Sequence, residues 1–406
     1  MEPDDYISSM PPDVISNILD RLPTQDAVRT DILARSWRFN WTMITQLIFD
    51  ADFFRFMLGP DDEKEFNGRS LYRLLIHLKG PITKFVLDVN PELLDNEDIN
   101  HWILFVSRNG IKDLTLEYFD RDHPFKLPTQ LYSCMQLEHL KLEHCCFRHS
   151  PSFQGFPNLR SLDFSNVGFQ SYTFGEFISR SPLLEILKFR EFGRTKEVKT
   201  DEIAKLRNLK TLSLSWFSFD GQMTIKSSSI FQLMGLPKLQ ELSFDFWMCN
   251  LMTADVVRKK APTSFNCLKT LKLSFIDFSD EVMASFVFKM ICASPNLQTL
   301  EIKACDNYVS PETLWSLELD PKTAGKLLLL DVSFTSFRGS KNEVCLLRHL
   351  LACSPLLKKI SIKLELEQLG GRDEGFKLSK KLKKLYRASP AAEIYIYGVV
   401  RVIDFS

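Results

Sequence analysis

What this chain lacks narrows it sharply. Its longest aliphatic run, Leu327 to Leu330, is far too short to span a bilayer, so no membrane partner is expected. It has no charge imbalance: Lys and Arg number 51 and Asp and Glu number 51, so the overall charge gives no reason to expect a nucleic-acid partner, though a local patch stays open. The phosphate-cradling G-x-x-x-x-G-K-[ST], the dinucleotide G-x-G-x-x-G and the zinc-binding H-E-x-x-H are all missing, and Gly370-Gly371 alone makes no phosphate loop. No Ser, His and Asp pattern stands out. The expectation is a protein that is not an enzyme, with no catalytic residue and no cofactor. A leading apolar stretch is also missing, since Met1 to Ser9 is polar and acidic, and the nine cysteines from Cys134 to Cys353 are an odd set. Reduced thiols in an intracellular protein, of cytoplasm and/or nucleus, are expected in place of a disulfide framework.

What is present is a core-forming composition, 45% hydrophobic and 25% charged, arranged as a repeat. Apolar residues recur as apolar, two variable, apolar, one variable, apolar. The copies begin at Leu137, Leu159, Leu184, Leu209, Leu239, Leu268, Leu297, Leu327 and Leu357, with weaker ones at Ile82, Ile111 and Ala391. From Leu209 to Leu357 the interval is 29 or 30 residues. A fixed period near that length with this core pattern is the signature of leucine-rich repeats, whose units bury their surface only against neighbours. Each copy predicts a short strand lining a horseshoe. Strand alternation then sends Leu212 and Leu214 into the core and Thr211, Ser213 and Ser215 to the concave side.

Helical return segments follow from two stripes, one from Val282 to Ile291 and one of Val344, Leu347 and Leu351. Pro295, Pro355 and Pro390, each preceded by Ser, end such segments. The position that often holds Asn or Cys reads Asn90, Phe119, Cys145, Val167, Phe192, Phe217, Trp247, Ile276, Cys305 and Thr335. An asparagine ladder is therefore not expected there, and aromatic packing, drawing on 33 Phe, takes its place. His139, His144, Cys145, Cys146 and His149 cluster but match no zinc-finger spacing, so no metal site is expected. Lys377, Lys380, Lys381, Lys383, Lys384 and Arg387 read as the wet face of a helix whose buried stripe is Leu378, Leu382, Leu385 and Tyr386.

The first fifty residues have a different grammar. Val14, Ile15, Ile18, Leu19 and Leu22 recur at helical spacing. Pro12 and Asp13 suit a first turn, and Pro23 stops the helix. Thr24 is a candidate N-cap for a second helix, with Val28, Ile32 and Leu33 as its buried face. Ser36 is the candidate cap of a third helix carrying Trp37, Trp41 and Ile44 on one side. So small a helical unit buries little alone. From periodicity it is equally an interface module or a cap that shields the first repeat.

The succession Leu22-Pro23-x-x-Asp26-Ala27-Val28-Arg29-Thr30, then Leu33 and Trp37-Arg38, resembles plant F-box proteins with leucine-rich repeats, including those carrying a C-terminal FBD segment. The resemblance implies an α/β fold: a three-helix F-box at 7–50, a linker and connecting helix at 51–80, and an irregular repeat solenoid at 81–406 with parallel concave strands, convex helices and an FBD-like C-terminal part. It implies docking on a Skp-type adaptor, and through it a cullin, by Pro11, Ile15, Ile18, Leu19, Leu22, Pro23, Val28, Leu33 and Trp37. The repeat surface would then hold a target protein for a ubiquitin ligase. Candidate target contacts are Lys188, Arg190, Ser213, Ser215, Trp216, Asp245, Trp247, Lys272 and Lys303. The alternative is an intracellular repeat scaffold without ligase activity. Met10 stands where the family usually has Leu, a nearly volume-neutral change. Asp31 stands where Ser is common, and a carboxylate buried at an interface would cost several kcal/mol.

Overall fold

Period-two alternation becomes parallel strands in the computed structural model. It describes residues 7, 9–59, 68–120, 123–147, 153–169, 174–192, 200–217, 223–247, 249–252, 265–305, 327–366, 369 and 371–399. The chain divides into two units, Met1–Glu202 and Ile203–Ser406.

In the first unit the strands Gln46–Phe49, Lys84–Val89, Asp113–Tyr118, His139–Glu143, Ser161–Ser165 and Ile186–Phe192 pair in chain order, all parallel. One register is kept throughout: Leu47, Phe85, Leu114, Leu140, Leu162 and Leu187 lie opposite one another, all buried. Strand pairing therefore starts at Gln46, well before the first apolar repeat signal at Ile82, and the helix Ala51–Leu58 follows that strand. Asp50 caps this helix, accepting from the Phe53 N–H at 2.9 Å. The connecting helix expected within 51–80 is present as Arg69–His77, whereas residues 60–67 lie outside the described residues.

The second unit repeats the plan with Thr211–Phe217, Glu241–Asp245, Thr270–Ile276, Thr299–Ala304, Asp331–Phe337, Lys359–Glu365 and Glu393–Val399. One copy is out of phase with the sequence reading. Leu300 pairs with Val332 and Ile302 with Phe334, so the unit reads Leu329-x-x-Val332-x-Phe334 and does not start at Leu327. Phe337, wholly buried, takes the place expected of Thr335, which faces outward.

Helices close the repeats as the stripes require. Met283, Phe286, Val287, Met290 and Ile291 of Glu281–Cys292 are buried, as are Val344, Leu347 and Leu351 of Lys341–Cys353. The serine before each proline is buried: Ser294 Oγ donates to the Met290 carbonyl at 2.9 Å and Ser389 Oγ to the Leu357 carbonyl at 2.6 Å. Aromatic packing is heavy but comes from elsewhere than expected. Phe119 is exposed, and the side chains of Phe192 and Phe217 lie outside the described residues. The rings that pack belong largely to return segments, with Phe177 5.0–5.9 Å from Phe147, Phe153, Phe156 and Phe164. In the helix Arg372–Lys383 the lysines are exposed and Leu382 is buried, while Leu378 and Leu385 are half-buried. Tyr386, expected in that stripe, is exposed, because the helix ends at Lys383 and the 3.6-residue period no longer applies beyond it.

Candidate functional site

The N-terminal module begins with the helices Pro12–Leu19 and Thr24–Arg29. Successive residues of a helix point 100° apart, so a five-residue apolar set divides between two faces. Of the expected docking residues, Ile15 and Leu19 are 8% and 1% exposed and pack inward. Val14, Ile18 and Leu22 point outward and are exposed. Pro11 and Pro23 occupy the two N-cap positions and are exposed, and Val28 and Trp37 are half-buried.

Polar side chains fix the module to the first strand. Ser16 Oγ donates to the Met43 carbonyl at 2.8 Å. The Asp20 carboxylate accepts from the Thr45 and Gln46 N–H groups at 2.8 and 3.3 Å and from Thr45 Oγ1 at 2.8 Å. Thr24 Oγ1 accepts from the Ile48 N–H at 2.9 Å and donates to the Ile48 carbonyl at 3.1 Å. Thr24 is thus no N-cap. It and Asp20 satisfy the backbone of the edge strand Gln46–Phe49, the groups that an edge otherwise leaves open.

The third helix is instead a set of 3-10 turns, Thr30–Ile32, Arg35–Trp37 and Asn40–Met43, interrupted where Phe39 takes φ +67°. Asp31 has a local task there: its Oδ1 accepts from the Phe39 N–H at 2.6 Å. Trp41 and Ile44 are buried, but Ile32 and Leu33, expected on a buried face, are 85% and 70% exposed. Their helix ends at Arg29, so the tighter turn beyond it carries both outward. Met10, Ile7 and Phe39 add further exposed apolar surface that periodicity alone did not reveal.

The second candidate surface is the outward face of the strands. Lysines and arginines there are mostly neutralised across neighbouring strands. Arg190 and Lys188 lie 3.3 and 4.0 Å from Asp163, and Lys141 pairs with Glu117. Lys272 bridges Glu241 and Glu301 at 3.1 and 3.6 Å. Ser213 and Ser215 are half-buried, and the side chain of Trp216 lies outside the described residues. Asp245 accepts from the Trp247 N–H at 2.9 Å, and burial pushes its carboxyl above the ordinary range. Trp247 packs edge-on against Phe275 at 4.3 Å, and Lys303 Nζ sits 4.2 Å above that same ring. Phe275 has φ +60°, a costly conformation for a bulky residue. Asp245, Trp247 and Lys303 therefore gather around one strained aromatic residue.

Two other places offer less. An open cleft of about 660 Å³ in the first unit is lined by Arg55, Asp88, Glu92 and Asp120 among others. Its one arginine already lies 2.6 Å from Asp52, so it does not form a convergent basic pocket. In the His/Cys cluster, His139 is exposed on its strand, whereas Cys145 is wholly buried, its thiol pushed well up by burial. His149 lies outside the described residues.

The comparisons agree with this architecture. The F-box domain model matches residues 7–44, a model described as FBD-associated F-box protein At5g56370, LRR repeats, matches 99–200, and a Leucine Rich Repeat model matches 267–287. Among curated relatives, the F-box/FBD/LRR-repeat protein At1g13570 of Arabidopsis thaliana is 28% identical over 97% of this chain and 98% of its own. The FBD-associated F-box protein At5g38590 of the same plant is 25% identical over 95% and 99%. The F-box/LRR-repeat protein At4g14103 is 27% identical over 70% of this chain and 64% of its own. A helical module that shows apolar side chains to solvent, joined to a parallel repeat ladder, defines a protein-interaction protein. The matches give the chain an F-box domain and leucine-rich repeats and make it similar to the F-box/FBD/LRR-repeat proteins. Among the described residues, no helix is long and apolar enough to cross a membrane.

Proposed function

We propose that this chain is the target-recognition subunit of a Skp–cullin–F-box ubiquitin ligase, docking on a Skp-type adaptor through its N-terminal module and holding a target protein on the outward strand face. The observation that carries this reading is the pair Ile32 and Leu33, 85% and 70% exposed, together with the exposed Ile18 and Leu22. An apolar surface of that kind, on a unit too small to gain from it alone, is accounted for by a second polypeptide. The contribution to the reaction is positional: the adaptor side fixes the subunit in the assembly, the strand face raises the effective concentration of target lysines, and the chemistry belongs to other subunits. Asp31 already accepts from the Phe39 N–H through one oxygen, which offsets part of the cost of covering its carboxylate.

The test is capture of the full chain by immobilised adaptor. Capture is expected for the wild type and lost for Leu22→Asp and for Ile32→Asp with Leu33→Asp. Undiminished capture of all these variants removes the proposed docking face and leaves an interaction scaffold.

A further inference from the structure

The strand register of the second unit lays its outward residues out as rows across the strands. On this face Asp245 lies opposite Ser274, Lys303 opposite Thr335 and Lys363 opposite Tyr397, and the register shifts between Leu273 and Ile276 and between Phe334 and Phe337. A neighbouring row ends Ser333, Ser361, Tyr395. Here the charge pattern of the strand face breaks. Lys272, and the outward lysines and arginines of the first unit named above, each have a carboxylate within 4.0 Å. Among the described residues, Lys303, Lys359 and Lys363 have none. Lys303 is held over the Phe275 ring at 4.2 Å and Lys359 lies 5.5 Å from the Tyr395 ring centre, so aromatic rings support two of these cations in place of anions.

The carboxylates nearby are committed or belong to another row. Glu301 is bridged by Lys272, Glu365 accepts from Ser336 Oγ at 3.2 Å, and Glu393 accepts from the Tyr395 hydroxyl. Asp331 lies opposite Lys359, in the row furthest from Lys363. Lys303 and Lys363 are two strands apart, roughly 10 Å, and the strand between them carries Thr335, whose hydroxyl donates to the Ile302 carbonyl at 3.5 Å. Tyr395 and Tyr397, half exposed, close the far end.

We infer that this end of the strand face is a binding site for an extended acidic segment of the target protein, an anionic side chain lying between Lys303 and Lys363 with its flanking residues against Tyr395 and Tyr397. Charge complementarity selects this occupant: Lys303 and Lys363 have no carboxylate within 4.0 Å among the described residues, and Asp245, whose charge acts on Lys303 from further away, already accepts from the Trp247 N–H. Carboxylate and phosphate side chains share this chemistry. The inference rests on the target-recognition reading above and supplies the chemistry of the target.

The test is fluorescence anisotropy of the full chain with three labelled peptides of equal length, alternating Ser with Glu, with Gln, or with phosphoserine. At least one anionic peptide is expected to bind about tenfold or more tightly than the Gln peptide, and the phosphoserine arm separates the two anion sources. The double variants K303Q/K363Q and K303E/K363E should abolish this preference while keeping the wild-type unfolding midpoint. Reversal of two exposed helix lysines, K381E/K383E, should leave it unchanged. Equal binding of Gln and anionic peptides, or equal loss in the helix control, overturns the inference. So does tighter binding of an oligonucleotide of matched charge through the same lysines. Adaptor capture, measured on the same preparations, separates the two readings. Capture without peptide discrimination removes only the acidic-segment site. Discrimination without capture keeps the site and removes the ligase reading.

Discussion

The division of the first helix into an inward and an outward face makes a quantitative prediction. Full burial of a Leu or Ile side chain is worth about 1.5–3 kcal/mol. An adaptor covering Ile32 and Leu33, now 85% and 70% exposed, would gain most of that twice. Alanine retains Cβ, so Ile32→Ala with Leu33→Ala should lose about 2–3 kcal/mol of docking energy, a rise in Kd of about 30- to 150-fold. The free chain should hardly notice, with stability changed by at most about 0.5 kcal/mol, because neither side chain packs on its own protein.

Leu19→Ala should behave in the opposite way. Leu19 is 1% exposed, and truncating a buried Leu costs about 2–5 kcal/mol through lost transfer energy and the cavity left behind. The assay is titration calorimetry of adaptor into full chain, run beside urea unfolding of the same samples. The outward pair should move Kd alone, and Leu19→Ala should move the unfolding midpoint. Unchanged Kd for the outward pair refutes the reasoning. So does Leu19→Ala weakening adaptor binding with its unfolding curve intact, which would return the inward residues to the interface.

Three further outcomes follow from the repeat region. At Phe275, φ +60° favours glycine, so Phe275→Ala loses the ring and keeps the strain whereas Phe275→Gly loses both. Urea unfolding should rank Gly above Ala by about 1 kcal/mol, the reverse of the usual order within a strand. Glu343 is buried in the capping box of Lys341–Cys353, and burial pushes its pKa up to about 7, against an ordinary value of 4.5. A raised folded-state pKa means that the folded chain holds this proton more tightly than the unfolded one. Its contribution to stability is therefore full below pH 4.5 and lost as pH rises towards 7, and Glu343→Gln should flatten that part of the stability–pH curve. Gly155 sits at φ +98°, where a Cβ would overlap the Arg180 carbonyl oxygen. Gly155→Ala should cost at least about 2 kcal/mol, visible as a lower thermal midpoint.

The strands were legible because each writes its own burial into alternate residues, and almost every ladder position on the inner face is a large apolar residue. The one misplaced copy shows what that signal omits. Leu327-Leu328-Leu329-Leu330 satisfies the pattern in more than one frame, and only pairing with Leu300 and Ile302 selects the frame that begins at Leu329. At the N-terminus, hydrophobicity marked the right residues without telling which would face inward, since a side chain meant for a partner and one meant for the core are chemically the same. Leu19 and Leu33 differ only in where the chain turns after Arg29. Asp20 and Thr24 were illegible for another reason: their partners are backbone atoms of Thr45, Gln46 and Ile48, more than twenty residues away, and no local pattern records such a bond.

Those distant bonds also decide what kind of object the N-terminal module is. A docking domain on a flexible tether would let its first repeat sample many orientations, and a receptor that acts by position would lose effective concentration accordingly. Here Asp20 and Thr24 meet the open edge of Gln46–Phe49, Ser16 holds the Met43 carbonyl, and the same strand pairs with Lys84–Val89. The module therefore shares backbone hydrogen bonding with the repeat ladder of the first unit. The cap reading and the interface reading that periodicity left open are compatible: inward, Asp20 and Thr24 satisfy an edge that would otherwise invite unwanted strand pairing, and outward, the same module shows Ile18, Leu22, Ile32 and Leu33 to solvent.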